Sequence, residues 1–376
     1  MTETLVGFRA NICGRIIVKV GSSLLVSKDG EVRRDWLKTL VAEIAARHRA
    51  GQRIIIVSSG SIALGARRLG LARGGRATLE DAQAAAAVGQ IALSGIWAEL
   101  LQAEGVAAAQ ILVTLDDLEH RRRYLNASAT LERLLGLGVI PVVNENDSVA
   151  TEEIRFGDND RLAARIGQAA QADAVVLLSD IDGLYTANPH VAPDAELIPM
   201  VERIDARITG MATAESASGM GSGGMASKVE AARIATRAGM HLSIISGRVD
   251  APLTRWVQSG RGTIFRADKR KTARKTWLAG RLTARGTLIV DEGAAAALTK
   301  GRSLLPAGVK ATNGEYRRGD VVNIAAPDGN VIARGLAEFD AGDAARIIGH
   351  RSEDIATILG SVQRSVLVHR DHMVVL

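Results

Sequence analysis

Apolar runs of strand length recur along most of this chain, each separated from the next by an amphipathic stretch of helix length. The runs are RIIVKV (15–20), RIIIVSS (53–59), AQILVT (109–114), GVIPVV (138–143), AVVLLS (174–179) and HLSIIS (241–246). Between them, residues 36–49, 79–104, 123–135, 161–171 and 227–237 read as helices. Strands that are apolar almost throughout need cover on both faces, and a strand–helix alternation supplies it. The expected fold class is therefore α/β, a three-layer sandwich around a mostly parallel sheet. Ligands of such sheets bind outside the carboxyl ends of the strands. The loops that follow the strands are where chemistry is expected.

Past residue 265 the pattern changes. Shorter strand-like pieces, TLIV (287–290), VVNIAA (321–326) and NVIARG (330–335), alternate with turn signals such as NG (313–314), RRGD and PDGN. The expected organisation is a catalytic domain over 1–265, a basic linker over 266–284, a small β-rich domain over 285–363 and a tail over 364–376. Between Arg266 and Arg285 stand eight basic residues against one acid, Asp268, an excess greater than the net charge of +6 on the whole chain. The basic balance thus belongs to one segment and is not a coat suited to nucleic acid.

Four loops stand out. In VKVGSSLL, Lys19 lies in an otherwise apolar strand, and Gly21 follows it. Glycine lets a backbone approach a ligand, and successive amide N–H groups can cradle phosphate. In IIIVSSGSIALG, Ser58, Ser59 and Gly60 end a strand and start a helix; they are either simple caps or an anion site. In SGMGSGGMASKVEAARIATRAG, Gly219, Gly221 and Gly224 match G-x-G-x-x-G, but the dinucleotide reading fails because no strand precedes them and no acid follows about 20 residues on. A Walker A reading fails as well, because Met225 stands where lysine is required. What remains is a glycine loop ending in Ser227 and Lys228 at a helix start. A lysine in a first turn opposes the helix dipole, which an anion held there would offset.

The fourth loop, NENDSVATEEIRFGDND (144–160), is crowded with acids and asparagines. Asp147, Asp158 and Asp160 could bind a divalent cation, although their spacing is not that of an EF-hand. Asn144, Asn146 and Asn159 favour recognition by hydrogen bonding, since an amide both donates and accepts. The carboxylates would attract an ammonium group. A solvated crossover is the plain alternative, and Glu152 and Glu153 keep that reading.

Composition excludes several classes. The single cysteine, Cys13, allows neither a disulfide framework nor a cysteine-based zinc cluster, which fits a cytoplasmic location. The N-terminus lacks the basic-then-apolar order of a secretory signal. The longest uncharged run, 82–98, is diluted by Ala, Gln and Gly and falls short of the roughly 20 apolar residues of a membrane helix. It reads as a core helix or an oligomer interface. The seven histidines form no nucleophilic constellation with Ser or Cys. Two lysines in glycine contexts, a hydroxyl-capped helix and an acid–amide loop together describe a phosphoryl-transfer site, a chemistry of positioning and charge neutralisation.

These segments, in this order, resemble the amino acid kinase family over about residues 14–363. The likeness rests on IIVKVGSSLL, VSSGSIALGA, AVGQ (87–90), VIPVVNENDSVAT, GDNDRLAA, LLSDIDGLYTANP and GSGGMASKVEAA. It is strongest with members that phosphorylate the side-chain carboxylate of L-glutamate, and implies transfer of the ATP γ-phosphoryl to give glutamyl 5-phosphate, the first step of proline biosynthesis. By the same resemblance, Lys19 and Lys228 neutralise the phosphates and Asp160 orients them. Ser59, Asp147 and Asn159 would hold glutamate, with Asn144 nearby. The ATP site would comprise Lys19, Gly21, Ser179, Asp180, Ser222, Gly223, Gly224, Met225, Ala226, Ser227 and Lys228. Ser22 and Ser222 stand where threonine is often seen. Magnesium is implied as a cofactor held mainly by the ATP phosphates, with no protein ligand assigned. Feedback inhibition by proline, channelling to glutamyl phosphate reductase and a homo-oligomer, dimer or tetramer, are also implied. Other acceptors within the same fold are acetylglutamate, aspartate, carbamate or a nucleoside monophosphate.

The C-terminal region, with GDVVNIAAPDGNVIARGLAEFDA, resembles a PUA domain, a module known from RNA-modifying enzymes. From residue 281 on, twelve basic residues face eleven acids. So balanced a charge gives little pull on a phosphate backbone, and a structural or regulatory role is expected over RNA binding.

Overall fold

The computed structural model describes residues 8, 13–27, 31–149, 159–189, 191–216, 224–268, 284–360 and 365–376. Two compact units divide the chain, Met1–Lys269 and Arg270–Leu376. In the first, eight strands form one sheet: β1 (Arg15–Val20), β2 (Arg53–Ser58), β3 (Ala108–Val113), β4 (Ile140–Glu145), β5 (Ala174–Ser179), β6 (Met200–Val201), β7 (His241–Ser246) and β8 (Thr263–Phe265). Their spatial order is β3-β4-β2-β1-β5-β7-β8-β6. The six strands expected from the apolar runs are all parallel to one another. Only β8 runs antiparallel to β7, and it pairs in parallel with β6. These last two strands have two and three residues, too few to leave a periodic signal.

The longer helices of this unit are α1 (Arg34–Arg49), α2 (Ser61–Leu69), α3 (Leu79–Ala103), α4 (Arg121–Gly136), α5 (Asn159–Ala169), α6 (Ala206–Ser216), α7 (Met225–Arg237) and α8 (Pro252–Ser259). Because side chains alternate along a strand, β1 faces two layers. Ile16, Val18 and Val20 join Leu37, Leu40 and Ile44 of α1 and Leu93 and Trp97 of α3 in one buried cluster. Ile17 points the other way, towards α5, where a Cβ added at Gly167 would lie 3.3 Å from its Cγ1. Lys19 shares that face of the strand with Ile17. This places its side chain over the α5 layer.

Two departures from the sequence reading bear on the site. Gly138, with φ 73°, follows α4, so β4 begins at Ile140 and runs two residues further than expected. Asn144 and Glu145 are consequently buried strand residues paired with Leu112 and Val113, not loop residues. The segment before the glycine loop is α6, which agrees with rejecting a strand there. Residues 150–158 and 217–223, including Asp158, Glu152, Glu153, Ser222 and Gly223, lie outside the described residues.

Helices α2 and α3 meet backbone to backbone. A Cβ on Gly65 would stand 1.7 Å from the carbonyl oxygen of Ala85, and one on Gly89 1.8 Å from that of Ser61. Only glycine fits at either contact. Helix α3 is longer than the uncharged run and, by length and composition, could span a membrane, contrary to the sequence estimate. Its Leu93, Trp97 and Leu101 are buried in the core of this unit, as expected for a core helix.

The second unit holds a five-stranded sheet: β9 (Gly286–Val290), β10 (Val309–Gly314), β11 (Val321–Ala325), β12 (Val331–Leu336) and β13 (Met373–Val375), ordered β10-β9-β11-β12-β13. Its core gathers Leu288, Val290, Val322, Ile324, Phe339 and Ile347. The segment set apart by sequence as a tail supplies β13, which pairs antiparallel with β12, so this stretch belongs to the sheet. Of the basic linker, Arg266 extends from β8 and pairs with Glu202 at 3.0 Å, while 269–283 lie outside the described residues.

Candidate active site

The connections from β1 lead to β2 on one side, and β5 lies on the other, so the strand order reverses between β1 and β5. At such a switch point the loops diverge and leave a crevice at the strand ends. Lys19, Ser59, Asn144, Asp147 and Ser179 all lie at or just past the carboxyl ends of β1, β2, β4 and β5.

On one side of the crevice three charges are buried together. Asp160, in the first turn of α5, is 1% exposed. Its Oδ1 lies 2.6 Å from Lys19 Nζ and its Oδ2 2.8 Å from Lys228 Nζ. Burial by itself would raise the pKa of Asp160, but the two ammonium groups hold it well below the usual carboxylate range. The start of α5 adds a favourable dipole end. Lys228 sits in the first turn of α7, and the anion that offsets its unfavourable dipole position comes from the protein itself: Asp160. Asp160 thus holds two ammonium groups side by side in a nearly dry setting. Such a group suits an anion with delocalised charge.

On the other side stands a network of amides and hydroxyls. Asn159, beside Asp160, donates from Nδ2 to Ser59 Oγ at 2.7 Å and to Asn144 Oδ1 at 3.0 Å. Asn144 in turn donates to Gln90 Oε1 at 2.8 Å and to Ser61 Oγ at 3.2 Å. The Ser61 hydroxyl donates to Asp147 Oδ2 at 3.2 Å. Among the described residues, Asp147 Oδ1 and Asn159 Oδ1 are buried with no hydrogen-bond partner. Burial pushes the Asp147 carboxyl up to about 6, against the pull of the Ser61 hydroxyl and the Arg76 charge. A cavity of about 400 Å³ opens here, lined by Ser61, Gln90, Glu145, Asn146 and Asp147 among others. Buried acceptors without donors are high in energy, and an ammonium group would satisfy them.

The remaining predicted residues frame the crevice. Gly21 lies beside the Lys19 ammonium, where an added Cβ would stand 3.7 Å from Nζ, in ordinary contact. Gly224 precedes α7, whose first residues are Met225, Ala226, Ser227 and Lys228, with Met225 and Lys228 both buried. The Ser179 hydroxyl donates to Asp180 Oδ1 at 3.2 Å, and the exposed Asp180 lies 3.9 Å from Arg248. Sequence reasoning assigned no role to Ser61, Gln90, Glu145 or Arg76. Gln90 had a visible signal, an amide within an alanine-rich helix, whereas the burial of Glu145 depended on the shift of β4.

A model of the amino acid kinase family matches residues 14–246, and one of the PUA domain matches residues 286–359. The chain belongs to the amino acid kinase family. A protein of Zymomonas mobilis named glutamate 5-kinase is 62% identical over 369 residues, covering 98% of this chain and 93% of that protein. Proteins with the same name from Sphingopyxis alaskensis and Novosphingobium aromaticivorans are 64% and 59% identical, covering 97% and 98% of this chain and 98% and 97% of their own lengths. Within the family, its group is that of the glutamate 5-kinases.

Proposed function

We propose that this chain transfers the γ-phosphoryl group of ATP to the side-chain carboxylate of L-glutamate, giving glutamyl 5-phosphate and ADP. The observation that carries the reading is the adjacency of two unlike sites: Asn159 and Asp160 are neighbours, one in the amide network and the other holding two lysines. In the reaction a carboxylate oxygen forms a bond to the γ-phosphorus while the bond to the β–γ bridging oxygen breaks. The attacking carboxylate is ionised at neutral pH, with an ordinary pKa of about 4.3, so no general base is needed. Lys19 and Lys228 neutralise the charge spread over the phosphoryl oxygens, and Asp160 holds both in place. Ser59, Asn159, Asn144 and Asp147 hold the amino acid, its ammonium set against the unpartnered oxygens. The nucleotide lies over Gly21, Ser179, Asp180 and the loop that enters α7.

Magnesium is placed with the nucleotide, held mainly by the ATP phosphates, and both oxygens of Asp160 are engaged by lysines. An ion coordinated by the triphosphate needs no protein cage. We further place the reaction at the first step of proline biosynthesis, in the cytoplasm. Proline acts as a feedback inhibitor at the amino-acid side, a reductase consumes the labile acyl phosphate, and the enzyme works as a homo-oligomer. The PUA-like unit has a structural or regulatory role.

The test is ADP formation from Mg·ATP with L-glutamate, and trapping of the acyl phosphate by hydroxylamine as the hydroxamate. Glutamate-dependent turnover that proline suppresses is expected. Faster turnover with aspartate, acetylglutamate or UMP than with glutamate would overturn the reading.

A further inference from the structure

We infer that Gln90, the acceptor that ends a run starting at Ser58 and passing through Asn159 and Asn144, holds these amides in the arrangement that run dictates and so acts as a positioning residue for glutamate. The inference rests on the proposed function and deepens it. It begins at an atom whose role cannot change: the carbonyl oxygen of Ser58 at the end of β2 can only accept. Asn159 turns its Nδ2 towards that oxygen, at 3.5 Å. The same Nδ2 then faces Asn144 and Ser59. Asn144 must therefore present Oδ1 to Asn159, which turns its own Nδ2 away, towards Gln90 and Ser61. Gln90 Oε1 is the acceptor that completes this run, at 2.8 Å.

Two consequences reach the ligand. Ser59 Oγ accepts from Asn159, so its hydroxyl proton is left to donate, which suits a substrate carboxylate. Ser61 Oγ accepts from Asn144 and spends its proton on Asp147 Oδ2, so Asp147 Oδ1 is left to accept, as is Asn159 Oδ1. One donor and two acceptors match the carboxylate and ammonium of an amino acid. If the two asparagine amides were turned over, Asn159 Nδ2 would meet the ammonium instead and repel it.

Gln90 is held for this task by the seat of α3. Gly89, next to it, lies against the carbonyl of Ser61 with no room for a side chain. The register of α3 over α2 therefore fixes the position of the glutamine, and its side chain reaches over to β4. Gln90 also lines the cavity beside Asp147, close enough for its removal to be felt by the ligand.

The experiment compares Gln90→Met with Gln90→Glu in the full-length enzyme. Methionine keeps the length of the side chain and removes the acceptor; glutamate keeps an acceptor in the same place. Gln90→Met should raise KM for glutamate roughly 10-fold to 100-fold, leaving kcat and KM for ATP within about 3-fold. Gln90→Glu should keep KM for glutamate within about 5-fold of the parent. An unchanged KM in Gln90→Met overturns the inference, as does a KM raised equally in both variants. If Gln90→Met does not fold, Gln90→Leu takes its place, with the same rise in KM for glutamate expected and an unchanged KM again overturning the inference. A parent enzyme with no turnover of glutamate would instead reject the proposed function.

Discussion

Two buried aspartates lie close in sequence, on either side of the crevice, and their environments drive them apart. Asp160 is bracketed by the ammonium groups of Lys19 and Lys228, which hold its carboxyl well below the usual range. Asp147 has one hydroxyl donor, a bare second oxygen and a carboxyl pushed up to about 6 by burial. The first is satisfied within the protein, and the second is left for a ligand. Environments that separate the titration of neighbouring carboxyls mark separate tasks. Here the difference divides the crevice into a side that organises cations for phosphate and a side that waits for one cation from the substrate.

The sharpest way to break this division is Lys228→Ala. Removing one of two charges that face the phosphoryl group should lower kcat about 10³-fold, with KM for glutamate changed by less than about 5-fold. Steady-state kinetics with both substrates varied would show it. A rise in KM for glutamate equal to the fall in kcat would mean that the two sides are one. Next comes Asp160→Asn, which removes the charge that both buried ammonium groups contact. The unliganded protein should lose about 3 kcal/mol of stability, seen as a lower melting temperature that ATP partly restores. Because the native pKa of Asp160 is depressed, its contribution is present above the ordinary carboxylate pKa and is lost as pH falls through the native value. The melting temperatures of parent and variant should therefore converge in acid.

How far this division could be seen in the sequence differs between its two halves. Lys19 announced itself as a charge in an apolar strand, and Lys228 as a cation at the wrong end of a helix. The chain of six parallel strands was equally plain, because each is apolar along nearly its whole length. The amide side was less legible. Asn144 and Glu145 read as loop, and only the left-handed Gly138 after α4 moved them into the strand. Ser61 and Gln90 belong to helices whose approach depends on Gly65 and Gly89 meeting backbone carbonyls. Such contacts join residues far apart in sequence and leave no periodic trace. The short reversed strands β6 and β8, and the final strand β13, were hidden for the same reason: pairing, not pattern, makes them strands.

Asp147→Ala tests the ligand side. It removes the acceptor offered to the ammonium, and KM for glutamate should rise roughly 10-fold to 100-fold while kcat changes little. An unchanged KM would remove Asp147 from the substrate site. With the parent enzyme, KM for glutamate should also rise as pH falls below about 6, since protonated Asp147 no longer attracts an ammonium.

The smallest effect separates the two aspartates by stability and not by kinetics. A carboxyl whose native pKa is raised binds its proton more tightly in the folded state than in the unfolded one. Between the ordinary value and about 6 the folded protein therefore loses stability as pH rises, and above that range the whole cost of the buried charge is present. Two pKa units correspond to about 3 kcal/mol, an upper bound for what a neutral replacement could recover. Asp147→Asn keeps an oxygen to accept from Ser61 and removes the charge. The unliganded variant should gain on the order of 1 kcal/mol at pH 8, read as a higher melting temperature, with the gain fading as pH falls to about 4. Saturating glutamate should stabilise the parent more than the variant, because only the parent presents a charge for the ammonium to neutralise. Asp160→Asn should behave in the opposite sense at every pH above the ordinary carboxylate range. If both substitutions destabilised the protein equally at pH 8, Asp147 would be a satisfied core carboxylate like its neighbour, and the contrast between the two sides would fail.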